Sequence, residues 1–222
     1  MPTIERSRLF GLFLLIFFAV WTLRATVLYA VDLQFPAGTP RLVYASVVKL
    51  SLWVVPAWLY VVYVMRASPW RALRLTTPVN LRTLAYMAGG VAFVFALAWG
   101  TGVLRGRDFP AALVAGAPGW VGAIAPIAPS ATMEEILFRG FVLQQLRARM
   151  GGWQANLVAA LLFVLIHWPN WLWRRGLEPG LLADSGGVFV FAVLAGYLVQ
   201  RTESLWPGVA AHVANNFAAS YL

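Results

Sequence analysis

Glu134, His167, His212 and Asn216 are the residues of this chain whose types and spacing could do chemistry. A carboxylate and an imidazole hydrogen-bonded to one water can remove its proton and make a nucleophile. A second imidazole with a carboxamide on one helix face supplies donors for an oxyanion. Together these are the parts needed for attack of water on a peptide carbonyl. His212 and Asn216 are four residues apart, so a helix places them on one face. Phe163 stands one turn before His167 and can pack against its ring. Glu135 and Arg139, also four apart, can pair and offset much of each other's burial cost. Glu134 points roughly 100° away from that pair, gains no partner from it, and is the candidate for proton transfer. Arg24 and Lys49 lie in other apolar runs and are read as snorkelling or paired, without a chemical role.

A blander reading makes Thr132-x-x-Glu135 a capping box that starts a helix after Pro129, and makes each histidine a hydrogen-bonded core residue. The sequence weighs against it. Only two histidines occur, and both fall in apolar segments, together with an unpaired glutamate and an asparagine. Ionisable groups at membrane depth are expensive and each needs a reason.

The elements that must hold these residues are transmembrane helices. The 222 residues are 61% apolar and 11% charged, whereas soluble domains are about 45–50% apolar and one-quarter charged. At about 20 residues per span, seven apolar runs leave no room for a soluble catalytic domain. The runs cover 9–31, 43–65 with a kink at Pro56, 83–104, 119–146 broken early by Pro126 and Pro129, 153–168, 188–200 and 204–222. Residues 70–75 are expected on the membrane surface and 176–187 as a short interfacial loop beside Trp168, Trp171 and Trp173. The expected fold is therefore an all-α, polytopic helical bundle of about seven spans. Residues 1–222 form one integral membrane domain, with 1–110 as accessory spans and 111–222 as the part that carries the site.

Helix rise gives the site residues a common depth. Measured from the ends of their runs, Glu134, His167, His212 and Asn216 lie about 20, 21, 12 and 18 Å into the membrane. All four can meet in one layer.

The chain has 17 basic and 8 acidic residues, a formal charge of +9, and no cysteine. The arginines sit between apolar runs, where they set topology and touch anionic headgroups of the lipid bilayer, so nucleic acid is not an expected partner. Nine of the flanking arginines fall on the N-terminal side of the membrane and five on the other, which points to a cytoplasmic N-terminus in the plasma membrane of a prokaryote. Without cysteine, thiolate chemistry is excluded and oxygen and imidazole groups remain.

The motifs Glu134-Glu135-x-x-x-Arg139, Phe163-x-x-x-His167 and His212-x-x-x-Asn216 resemble, in order and spacing, those of the CPBP family (CAAX proteases and bacteriocin-processing enzymes, or Abi), similar to type II CAAX prenyl endopeptidases. The segment 204–216 looks like that family's signature, and the likeness runs from about 128 to 222. The resemblance implies an intramembrane endopeptidase acting on a membrane-associated protein or peptide. Carried onto this chain, it makes Glu134 the general base with His167, and His212 with Asn216 the oxyanion hole, with Glu135 and Arg139 orienting the site. No cofactor is favoured. The alternative is a Zn2+ version with Glu134, His167 and His212 as ligands, although no His-Glu-x-x-His pair is present. The rivals from other classes are a non-enzymatic membrane binding or immunity protein and, more remotely, a proton-coupled transporter.

Overall fold

The computed structural model describes residues 3–104, 106 and 124–221, and these contain helices and turns but no strand. Seven long helices follow one another: α1 (Thr3–Ala25), α2 (Thr39–Met65), α3 (Leu81–Leu104), α4 (128–147), α5 (Gly152–Arg175), α6 (Gly180–Thr202) and α7 (Trp206–Tyr221). Five of them, α1, α2, α3, α5 and α6, are long and apolar enough to cross a membrane, as expected of a multi-pass integral membrane protein. The sequence reading of about seven spans is thus matched in helices but not in spans. Glu134, Glu135 and Arg139 take α4 out of the apolar class, and α7 has 16 residues. The expected start of the fourth run at 119–123, and Arg105 and Arg107, lie outside the described residues.

Helix α4 is the hub. Six consecutive residues, Leu137 to Val142, are buried, more than one helical stripe, so α4 is surrounded rather than laid against a single neighbour. Its winding opens to i→i+5 hydrogen bonding over Ile136–Val142, a feature that recurs at functional sites. Helix α1 covers one side through edge-to-face rings, Phe13 against Phe141 at 4.9 Å and Phe17 against Phe138 at 6.4 Å. On the opposite side α7 packs along α3 and against α4 and α6. Leu15, Leu84, Phe93 and Trp99 point outward, as lipid-facing side chains do. Helix α2 passes through Pro56 and takes up the missing N–H with π-helical stretches on either side, Leu50–Val54 and Tyr60–Met65.

The segment expected on the membrane surface is divided. Trp70 is exposed, but Leu73 is fully buried against α4. Gly140 permits this, because a Cβ there would stand 2.9 Å from the Leu73 carbonyl oxygen. The same connection reaches the beginning of α7: the Leu205 amide donates to the Arg74 carbonyl at 3.2 Å, and Arg74 and Arg147 hold Glu203 at 2.7 and 2.9 Å.

Two boundaries differ from expectation. Residues 180–187, read as loop, are the first two turns of α6. Ser185 turns its hydroxyl back to the Leu181 carbonyl at 2.7 Å and accepts from the Trp168 indole at 3.0 Å, so its polarity is absorbed within the helix. Helix α5 extends to Arg175 but is interrupted after Leu165. Pro169 lacks the N–H that would bond the Leu165 carbonyl, and its ring crowds that carbonyl.

Candidate functional site

The interruption in α5 places His167. The His167 amide donates to Val164 at 3.0 Å instead of to Phe163, which frees the Phe163 carbonyl. The imidazole Nδ1 takes that acceptor at 2.8 Å. A carbonyl only accepts, so Nδ1 carries the proton and Nε2 of the neutral ring is left as an acceptor. The ring is further set between Phe163 and Trp171, at centroid distances of 5.0 and 5.2 Å.

Helix α4 supplies both carboxylates, and both are buried. Glu135 Oε1 accepts from Arg139 Nη1 at 2.9 Å, the pair expected from the spacing. The guanidinium also donates to the Ala192 carbonyl at 3.1 Å and lies over the Phe163 ring at 4.4 Å. The capping-box reading does not survive: Thr132 bonds the Ala128 carbonyl at 2.8 Å, and Glu135 lies well inside α4.

Glu135 Oε1 also accepts from His212 Nδ1 at 2.8 Å, which joins α4 to α7. Close approach of the two helices depends on Gly208, where a Cβ would lie 3.0 Å from both Glu135 Oε2 and Val199 Cγ2. With Nδ1 committed, His212 turns Nε2 toward Glu134 Oε2 at 3.7 Å. That gap is too long for a direct hydrogen bond, and one water can bond both atoms across it. The Phe163 ring stands between the two imidazoles, 5.0 Å from His167 and 5.7 Å from His212. Asn216 follows one turn after His212, half-buried, and its amide has no hydrogen-bond partner among the described residues.

Glu134 is not unpaired. Lys49 Nζ, from α2, donates to Glu134 Oε1 at 2.6 Å and to Ser130 Oγ at 2.7 Å, and lies 4.8 Å from the centre of the Trp53 ring. Lys49, read as snorkelling or paired, is paired, and its partner is the glutamate expected to have none. Its partner is 85 residues away in sequence, beyond any helical spacing rule. One signal was present: Lys49 is the only lysine among 17 basic residues, near the start of an apolar run. Arg24, the other intramembrane cation of the N-terminal half, is paired with Asp32 at 2.5 Å.

Comparison with curated proteins gives no match to the chain. Comparison with protein families gives one, described as type II CAAX prenyl endopeptidase Rce1-like, over residues 116–218. That stretch contains Glu134, Glu135, Arg139, Phe163, His167, His212 and Asn216. Over this segment the chain is similar to the Rce1-like CAAX endopeptidases, in agreement with the CPBP resemblance of its three motifs.

Proposed function

We propose that the protein is an intramembrane endopeptidase in which Glu134 and His167 activate water, and His212 with Asn216 stabilise the oxyanion. The support for the reading is that the hydrogen bonds of Glu134 and His167 leave one acceptor atom of each open. Glu134 Oε1 is tied to Lys49 and His167 Nδ1 to the Phe163 carbonyl, so Glu134 Oε2 and His167 Nε2 remain for water. Glu134 takes one proton from the water as its oxygen attacks the peptide carbonyl carbon. The negative charge passes to the carbonyl oxygen, where the free Asn216 amide and a proton on His212 Nε2 are the donors. In that role His212 carries a proton on each nitrogen and gives the other to Glu135. Glu134 then returns its proton to the amide nitrogen as the C–N bond breaks, leaving an acid and an amine.

The bonds that the two carboxylates already make favour chemistry without a resident zinc ion. Glu134 is bonded to an ammonium, and Glu135 is shared by a guanidinium and an imidazole. Among the described residues no three His, Asp or Glu side chains group as a ligand set. The proposed mechanism therefore uses no metal.

The substrate class proposed is a membrane-associated protein or peptide, because the reacting groups lie among buried residues of a helical bundle. The test is cleavage of transmembrane and prenylated peptides by the purified protein in lipid vesicles, with Glu134→Gln as the decisive variant. Loss of turnover in a variant that still inserts and elutes as the wild type is expected. Unchanged turnover would remove Glu134 from the chemistry.

A further inference from the structure

Two carboxylates stand side by side in the buried centre of α4, and Arg139 partners only one of them. From the position of the second cation, we infer that Lys49 is a positioning and charge-compensating residue for hydrolysis, acting through Glu134. This rests on the reading of Glu134 as the base.

The chemistry needs such a group. Neighbouring carboxylates out of water cannot both stay ionised without opposite charge beside each. Lys49 supplies it with a fixed geometry. Its ammonium has three donors; Glu134 Oε1 and Ser130 Oγ each take one, and the Trp53 ring backs the group. Ser130 sits one turn before Glu134 on α4, so the ammonium is held along the helix that carries the carboxylate. Only Glu134 Oε2 then faces His212, and the proton-accepting oxygen is defined.

The same arrangement serves the transition state. When a water O–H bond breaks and its proton goes to Glu134 Oε2, negative charge leaves that carboxylate and appears on the substrate oxygen. The Lys49 charge stays in place, is no longer offset by Glu134, and favours the oxyanion through surroundings that screen it weakly. When the proton passes to the departing nitrogen, Glu134 is again an anion against Lys49. No electron donor or acceptor is required. A compact ammonium on a flexible stem suits a partner that loses and regains its charge, where a guanidinium fork suits the permanent Glu135–Arg139 pair.

The experiment exploits the absence of cysteine from the chain. Lys49→Cys introduces a single thiol, which 2-bromoethylamine converts to a side chain of lysine length with its ammonium restored, whereas methyl methanethiosulfonate gives a neutral cap. Lys49→Met and the neutral cap are expected to lower kcat about 100-fold, as loss of a preorganised charge does, with KM changed less than about threefold. Aminoethylation is expected to return kcat to within about tenfold of wild type. Ser130→Ala keeps every charge and guards against a folding failure; loss of that hydrogen bond is expected to cost about five- to tenfold in kcat. Wild-type kcat in Lys49→Met or Ser130→Ala, or equal recovery with the neutral cap, overturns the role. If Lys49→Met is active while Glu134→Gln is dead, Lys49 alone is excluded. If Glu134→Gln cleaves like the wild type, the water-activating reading falls as well.

Discussion

Glu135 and His212 are joined across α4 and α7 by a 2.8 Å hydrogen bond to the same carboxylate oxygen that binds Arg139. One buried atom thus sets both the guanidinium and the imidazole. Glu135→Gln leaves Arg139 in the core without its counter-ion. Thermal unfolding in detergent should show it destabilised by about 3–5 kcal/mol, the usual cost of breaking a buried pair. Glu134→Gln, which leaves the Glu135–Arg139 pair intact and strands only the less deeply buried Lys49, should unfold closer to the wild type. The opposite order of stabilities would refute the division of the two glutamates into structural and chemical roles.

The His167 tautomer should depend on Pro169. With Pro169→Ala the chain regains an N–H for the Leu165 carbonyl, and α5 can run on through residue 167. The Phe163 carbonyl is then reclaimed by the His167 amide, and Nδ1 loses its acceptor. We expect kcat to fall by roughly tenfold, part of the contribution a positioned base makes. Because the chain has only two histidines, ring nitrogen NMR can follow the change directly. A wild-type spectrum with Nδ1 of His167 unprotonated would contradict the assignment.

Chelation offers a separate check. With Lys49 bonded to Glu134, and Arg139 and His212 bonded to Glu135, treatment with a strong zinc chelator should leave turnover unchanged. Activity abolished by the chelator and restored stoichiometrically by zinc would reinstate Glu134, His167 and His212 as ligands.

What could be read from the sequence was what lies within one helix. Glu135–Arg139, Phe163 beside His167, and His212 with Asn216 are four-residue spacings, and one helical turn keeps them together even where α4 widens and α5 is interrupted. The interruption at His167 was also encoded, in Pro169 two residues on, but apolar periodicity ran through it. Contacts between helices were not legible. Lys49 reaches Glu134, and Arg74 and Arg147 reach Glu203, through tertiary packing that no spacing announces. The beginning of α6 was missed because Asp184, Ser185 and two glycines look like a loop until Ser185 is seen bonded within the helix.

The tie between Arg74 and the start of α7 bears on modularity. The family-like segment begins at residue 116, yet the backbone carbonyl of Arg74 anchors Leu205, and the cation against Glu134 comes from α2. The three motifs are therefore not a portable cassette. A chimera that transplanted residues 116–218 behind unrelated N-terminal helices would inherit every motif residue and lack both the counter-charge and the anchor that sets α7 in register. Any exchanged N-terminal half would have to bring its own cation for Glu134 and its own anchor for Leu205.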